Sequence, residues 1–143
     1  MQQMVIDCSV AVKWFDQDEE RGGRALRLLE LFLKGEIEFI IPDLLFYEAG
    51  NVFWKKWKGH PEKAEQSLIR LWELPWLLMP LRSSLLTRTA EIANRFQTTY
   101  YDSLYLAVAE RTEASFVTAD KKLLSKIKTL PFAKHLEEIP GIS

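Results

Sequence analysis

The chain has 143 residues, 48% hydrophobic and 27% charged, with a formal net charge of −1 and a pI near 6.2. That length and composition predict one folded domain over residues 1–143 and exclude a disordered or low-complexity chain. The near-neutral balance excludes a protein that binds nucleic acid by bulk positive charge, and the lone cysteine, Cys8, excludes an intrachain disulfide.

The N-terminal residues carry no basic stretch followed by a long apolar run, so no signal peptide is expected, and no apolar run approaches the roughly 18–20 residues of a membrane helix. A soluble, cytoplasmic protein without membrane contact is the expectation. Residues 4–7 predict a short buried strand. Ser9 is placed to cap a helix over Val10–Phe15. Residues 19–34 predict a helix with Ala25, Leu28, Leu29 and Phe32 on one face, ended by Gly35. Phe39–Ile41 predicts a second strand. Pro42-Asp43 then opens a helix to about Lys58, Gly59-His60-Pro61 a turn, and Glu62–Glu73 a second helix, which together make a helical hairpin at about 43–73. Trp76–Met79 predicts a third strand. A helix over 83–97 follows, with Leu86, Thr89, Ala90 and Ala93 on its inner face, and then a helix over Ser103–Thr112. Ser115–Val117 predicts a fourth strand, Lys121–Ile127 a short helix, and 134–138 a last strand. Strands alternating with helices predict an α/β fold, a three-layer α/β/α sandwich around a mainly parallel sheet.

Four acidic residues stand where segments change character. Asp7 ends the run Met4-Val5-Ile6, Glu48 lies near the start of a helix, Asp102 opens another, and Asp120 follows Phe116-Val117-Thr118-Ala119. In an open parallel sheet the ligand site lies beyond the carboxyl ends of the strands, and helix starts share that edge. Converging carboxylates suit a hard divalent cation such as Mg2+ or Mn2+ over a phosphate ester. Without a cation such acids repel one another and hold their protons more tightly, so the metal-free site is expected to be destabilising and poor at binding RNA. Each acid also has a plainer reading. Asp7, Asp102 and Asp120 are all placed to cap helices, and Glu48 to make a surface ion pair.

The stretches that carry these acids resemble, in order, the motifs of the PIN-domain ribonucleases, particularly the VapC-type toxins of prokaryotic toxin–antitoxin systems. They are Val5-Ile6-Asp7-Cys8-Ser9-Val10-Ala11-Val12-Lys13-Trp14-Phe15, Glu48-Ala49-Gly50-Asn51-Val52, Tyr101-Asp102-Ser103-Leu104-Tyr105-Leu106-Ala107-Val108-Ala109 and Phe116-Val117-Thr118-Ala119-Asp120-Lys121-Lys122-Leu123. The resemblance implies a metal-dependent endoribonuclease toxin that hydrolyses RNA with a Mg2+- or Mn2+-activated water. It implies metal ligation and catalysis by Asp7, Glu48, Asp102 and Asp120, support from Ser9, Asn51 and Thr118, a cognate antitoxin as partner, and a homodimer. Leu123 stands where an aromatic is often found, and Gly50 is an unusual helix residue.

Two other functions compete. A haloacid-dehalogenase-type phosphatase also begins with a strand-end Asp, but it needs a second Asp two residues on, where this chain has Ser9. A non-catalytic PIN-like scaffold that binds RNA or protein would tolerate loss of the acids, and this chain keeps all four. Trp54 and Trp57, interleaved with Lys55, Lys56 and Lys58, suit either base stacking or a protein contact, while Phe46, Ala49, Phe53 and Trp57 form one stripe that a core would take. An exposed apolar patch is expected on this hairpin. Lys121, Lys122, Lys126 and Lys128 suit phosphate steering or a solvated helix face. His60 and His135 lack metal spacing, and Cys8 reads as a buried small residue.

Overall fold

The computed structural model describes residues 2–15 and 19–140; the predicted domain's ends at 1 and 141–143 lie outside the described residues. Strand β1 (Gln2–Ile6) is followed by helix α1 (Cys8–Ala11), a 3-10 turn (Val12–Phe15) and helix α2 (Glu19–Leu33). Strand β2 (Ile37–Ile41) leads into the antiparallel pair α3 (Leu44–Lys56) and α4 (Pro61–Trp72). Strand β3 (Leu77–Leu78), helices α5 (Ser83–Phe96) and α6 (Tyr100–Thr112), strand β4 (Ser115–Thr118), helix α7 (Lys121–Lys126) and strand β5 (Ala133–His135) complete the order, with a 3-10 turn over Leu136–Glu138.

All four strand pairings are parallel, in the order β3-β2-β1-β4-β5. Met4, Val5 and Ile6 of β1 are fully buried, as a central parallel strand covered on both faces requires. The register shows the two covered faces. Met4 is paired with Phe39 and Val5 with Phe116, so these two rings leave opposite sides of the sheet. Phe39 meets Phe32 of α2, with ring centroids 4.7 Å apart, and Phe116 meets Tyr105 of α6 at 6.5 Å. Helix α5 packs on α6. The result is a three-layer α/β/α sandwich. Both edge strands are short, which limits edge-to-edge pairing.

The strand order reverses beside β1: the chain steps outward to β2 and β3, then returns to place β4 on the other side. The crevice between the carboxyl ends of β1 and β4 is therefore the switch point where open parallel sheets hold ligands. Asp7 directly follows β1, and Ala119-Asp120 directly follow β4.

Several local expectations change. The first helix begins at Cys8, not Val10, and tightens into a 3-10 turn at Val12, so Asp7 and not Ser9 holds the cap position. Pro61 belongs to α4 as its first residue, where its missing N–H is harmless. The turn before it is set by Gly59 at φ 87°, a left-handed conformation that favours glycine. Trp76 precedes β3 and instead joins the aromatic cluster of Trp14, Phe32 and Phe39, its indole N–H donating to the Leu71 carbonyl at 2.7 Å. Helix α5 buries Leu85, Thr89 and Ile92 rather than the face that includes Leu86, Ala90 and Ala93, because turning it by one residue buries branched aliphatics in place of alanines. Thr89 satisfies its hydroxyl on the Leu85 carbonyl, 2.7 Å away.

Candidate metal centre

Asp7 is the centre of a hydroxyl network. Its backbone occupies the cap position of α1, but its carboxylate makes no capping bond. Instead Ser9 Oγ donates to Oδ1 and Thr118 Oγ1 to Oδ2, each at 2.5 Å. The two hydroxyls accept in turn from the loop after β4: Ala119 N–H donates to Ser9 Oγ at 2.9 Å and Asp120 N–H to Thr118 Oγ1 at 3.0 Å. The ends of β1 and β4 are thus laced together through one buried carboxylate. Each carboxylate oxygen has a second lone pair, so both hydroxyl bonds leave Asp7 able to accept further.

Burial pushes the Asp7 carboxyl up to about 7, against the opposing pull of the Ser9 and Thr118 bonds, and the charge of Asp102 adds to the rise. Glu48, on α3, is also raised by burial. A hydrogen bond from Tyr105 Oη to Oε1, at 2.5 Å, opposes that rise and Asp102 adds to it. Asp102 is raised by burial, opposed by the Thr99 hydroxyl, raised again by Asp120 and lowered by Lys126. Asp102 is therefore the hub: it shares a field with Asp7, Glu48 and Asp120. Burial and the Glu48 charge keep Tyr105 protonated, a donor only toward that carboxylate.

Asp102 does not open its helix. Thr99 caps α6, its hydroxyl accepting from Asp102 N–H at 3.0 Å, and Asp102 lies in the first turn. Asp120 does cap α7, Oδ1 accepting from Leu123 N–H at 3.0 Å, which leaves Oδ2 for another role. Asp102 and Asp120 line one small cleft of about 90 Å³ with Thr99, Lys122 and Lys126. Asn51 is exposed one turn beyond Glu48 and makes no side-chain hydrogen bond among the described residues. Cys8 is half-buried, and burial with the Glu48 and Asp7 charges pushes its thiol up to about 12, so it is no nucleophile at neutral pH.

The sequence reading passed over Tyr105 and Thr99. Tyr105 stands three residues after Asp102 on one helix, a spacing that puts both on one face. Thr99 is the Ser/Thr that precedes a first-turn acid.

Among the described residues, no three Asp, Glu, His or Cys side chains stand close enough together to hold a metal ion as they are. The donors nonetheless fit one in kind. Asp7, Glu48 and Asp102, each raised in proton affinity, and Asp120 supply hard carboxylate oxygens at a strand-end crevice, where a divalent cation would relieve mutual repulsion.

On the hairpin the two tryptophans part company. Phe53 and Ala49 are buried, and Trp57 packs against the core with its indole N–H buried and without a partner among the described residues. Trp54 is 61% exposed, and Tyr47, Ile69 and Trp72 are exposed with it on α3 and α4. Among the described residues, no helix is long and apolar enough to cross a membrane.

The fold is that of several solved structures. A protein of Pyrobaculum aerophilum, PAE2754, is 24% identical with a TM-score of 0.69, over 95% of this chain and 90% of that one. A toxin–antitoxin complex from Klebsiella pneumoniae is 15% identical with a TM-score of 0.67, over 95% and 99%. VapBC2 of Rickettsia felis, bound to a DNA fragment from its promoter, is 15% identical with a TM-score of 0.69, over 94% and 98%. No curated protein matches the chain by sequence. Residues 4–130 match the family model of the PIN domain, and with the parallel sheet and its strand-end acids this places the chain in the PIN-domain family.

Proposed function

We propose that this protein is a Mg2+- or Mn2+-dependent endoribonuclease, the toxin of a toxin–antitoxin pair. The reading is carried by the placement of Asp7 and Asp120 at the β1/β4 switch point, with Asp102 beside Asp120 in one cleft and Glu48 held by Tyr105 from the Asp102 helix. Asp7, Glu48, Asp102 and Asp120 would hold the cation. When bound, it neutralises phosphate charge and lowers the pKa of a water. The rest of the work falls to the chain. Ser9 and Thr118 fix both Asp7 oxygens so that the carboxylate cannot swing away. Tyr105 holds Glu48 by its Oε1. Asp102, half-buried and raised in proton affinity, orients the attacking water and accepts its proton. Attack in line with the leaving oxygen breaks the phosphodiester.

The PIN family and the toxin–antitoxin neighbours support a toxin role. An antitoxin would cover the apolar surface of Tyr47, Trp54, Ile69 and Trp72. A homodimer, a cytoplasmic location and a single folding unit over 1–143 complete the proposal. The lack of a closed donor set among the described residues favours a second reading, a scaffold that binds RNA or protein without catalysis. Cleavage of RNA separates the two. The nuclease cuts with Mg2+ or Mn2+, stops in EDTA, and is inactive as Asp102→Asn. A scaffold binds RNA equally with and without EDTA and never cuts.

A further inference from the structure

Beside the acids lies a cleft of about 460 Å³ lined by Ser9, Val12, Lys13, Val52, Phe53, Lys56 and Ala119. Its two lysines come from separate elements, the 3-10 turn after α1 and the last residue of α3. Lys56 is held in place: its ammonium donates to the Phe15 carbonyl at 2.9 Å and stands 5.4 Å from the Trp57 ring centroid. An ammonium has three donors, so that bond leaves two for a ligand. The inner end of the cleft is the hydroxyl network itself, since Ser9 Oγ bonds both Asp7 and the Ala119 N–H. A ligand in this cleft therefore abuts the acids. Lys122 and Lys126 share a second cleft with Asp102 and Asp120.

Cations thus stand in both clefts that adjoin the acids. That pattern suits a chain with an anion at every repeat, one anion at the acids and its neighbours beyond. We propose that Lys13 and Lys56 seat the RNA phosphate next to the scissile one, with Val12 and Val52 as the apolar wall behind the sugar; the proposal rests on the ribonuclease reading. The lysines act by position. They select a nucleic-acid strand and set which bond lies over the acids, without touching the reacting atoms. An acidic protein segment would need charge in the cleft but no repeat across the acids, so RNA is the better match.

The test uses the full chain with Lys13→Ala/Lys56→Ala and Lys13→Arg/Lys56→Arg double variants. Binding of a labelled single-stranded RNA oligonucleotide is followed by anisotropy against KCl in Mg2+, on an Asp102→Asn background that does not cut. Each lost phosphate contact lowers the salt slope by about 0.7, so the alanine pair, which gives up one phosphate, should lower it by about 0.7 and the arginine pair should keep it. In cleavage, the alanine pair should raise KM roughly tenfold at low salt and leave kcat within about twofold. Thermal melts check that both variants fold. An unchanged slope in the folded alanine pair overturns the seat. So does loss of affinity for a polyglutamate peptide with RNA binding intact. If the parent chain cuts no RNA, the ribonuclease reading fails separately, and the slope still decides whether the cleft binds phosphate.

Discussion

Replacing Asp7 by Asn should stabilise the metal-free protein at neutral pH while destroying the site. Asp7 is 4% exposed, and its carboxyl rises from 3.8 to about 7 on folding. Between those values the folded chain holds a proton that the unfolded chain has released, so stability falls as pH rises from about 4 to about 7 and stays low above. The shift corresponds to about 4 kcal/mol at pH 8. Asn carries no such penalty. It keeps one acceptor for Ser9 or Thr118 and loses the other, a loss of about 1–2 kcal/mol. The displaced hydroxyl has a partner at hand, since Ser9 Oγ and Thr118 Oγ1 are 3.2 Å apart. The net gain is about 2–3 kcal/mol, or roughly 6–9 °C in melting temperature for a chain of this size. The assay is thermal and urea unfolding of both proteins in EDTA at pH 8 and pH 3.5. The variant should lead at pH 8 and lose its lead at pH 3.5. Adding Mn2+ at pH 8 should raise the wild type by about 2.7 kcal/mol at a hundredfold excess over Kd and leave the variant where it was. A variant less stable than wild type at pH 8 in EDTA, or a lead that persists in acid, refutes the buried-charge argument.

Tyr105→Phe keeps the ring against Phe116 but frees Glu48; metal affinity should fall roughly tenfold with little change in melting temperature, read by Mn2+ titration. Thr99→Ala removes the α6 cap and should lower stability by about 1 kcal/mol, checked by urea unfolding. Gly50→Ala should raise stability by about 0.5–1 kcal/mol, because Gly50 lies inside α3 and a Cβ there would meet Leu68 at 3.5 Å, an ordinary contact. At limiting Mg2+ the cleavage rate should climb as pH rises through about 7, since Asp7 must give up a proton before it accepts a cation; a rate flat from pH 5.5 to 8 contradicts that order of events.

What the sequence made legible was whatever a short window encodes. Met4–Ile6 and Phe116–Thr118 are too apolar and β-branched to be anything but buried strands, so their carboxyl ends, and the acids there, were readable as one edge. The α3 stripe was readable from its period, and Ala49 and Phe53 are buried as it demands. What stayed hidden depends on pairs distant in the chain. The Tyr105 bond to Glu48 and the Lys13/Lys56 cleft each join two elements whose spacing only the fold sets. The inner face of α5 was misread because Leu85 and Leu86 are adjacent and equally apolar; packing on α6, not local pattern, decides between them.

The four acids are proposed to act together on one cation. Titration of Mn2+ into the metal-free protein, followed by electron paramagnetic resonance of the free ion, tests this most directly. Wild type should take up Mn2+ tightly with release of protons, and Asp7→Asn and Asp102→Asn should each abolish the tight uptake. Equal uptake by wild type and both variants would contradict a shared metal centre.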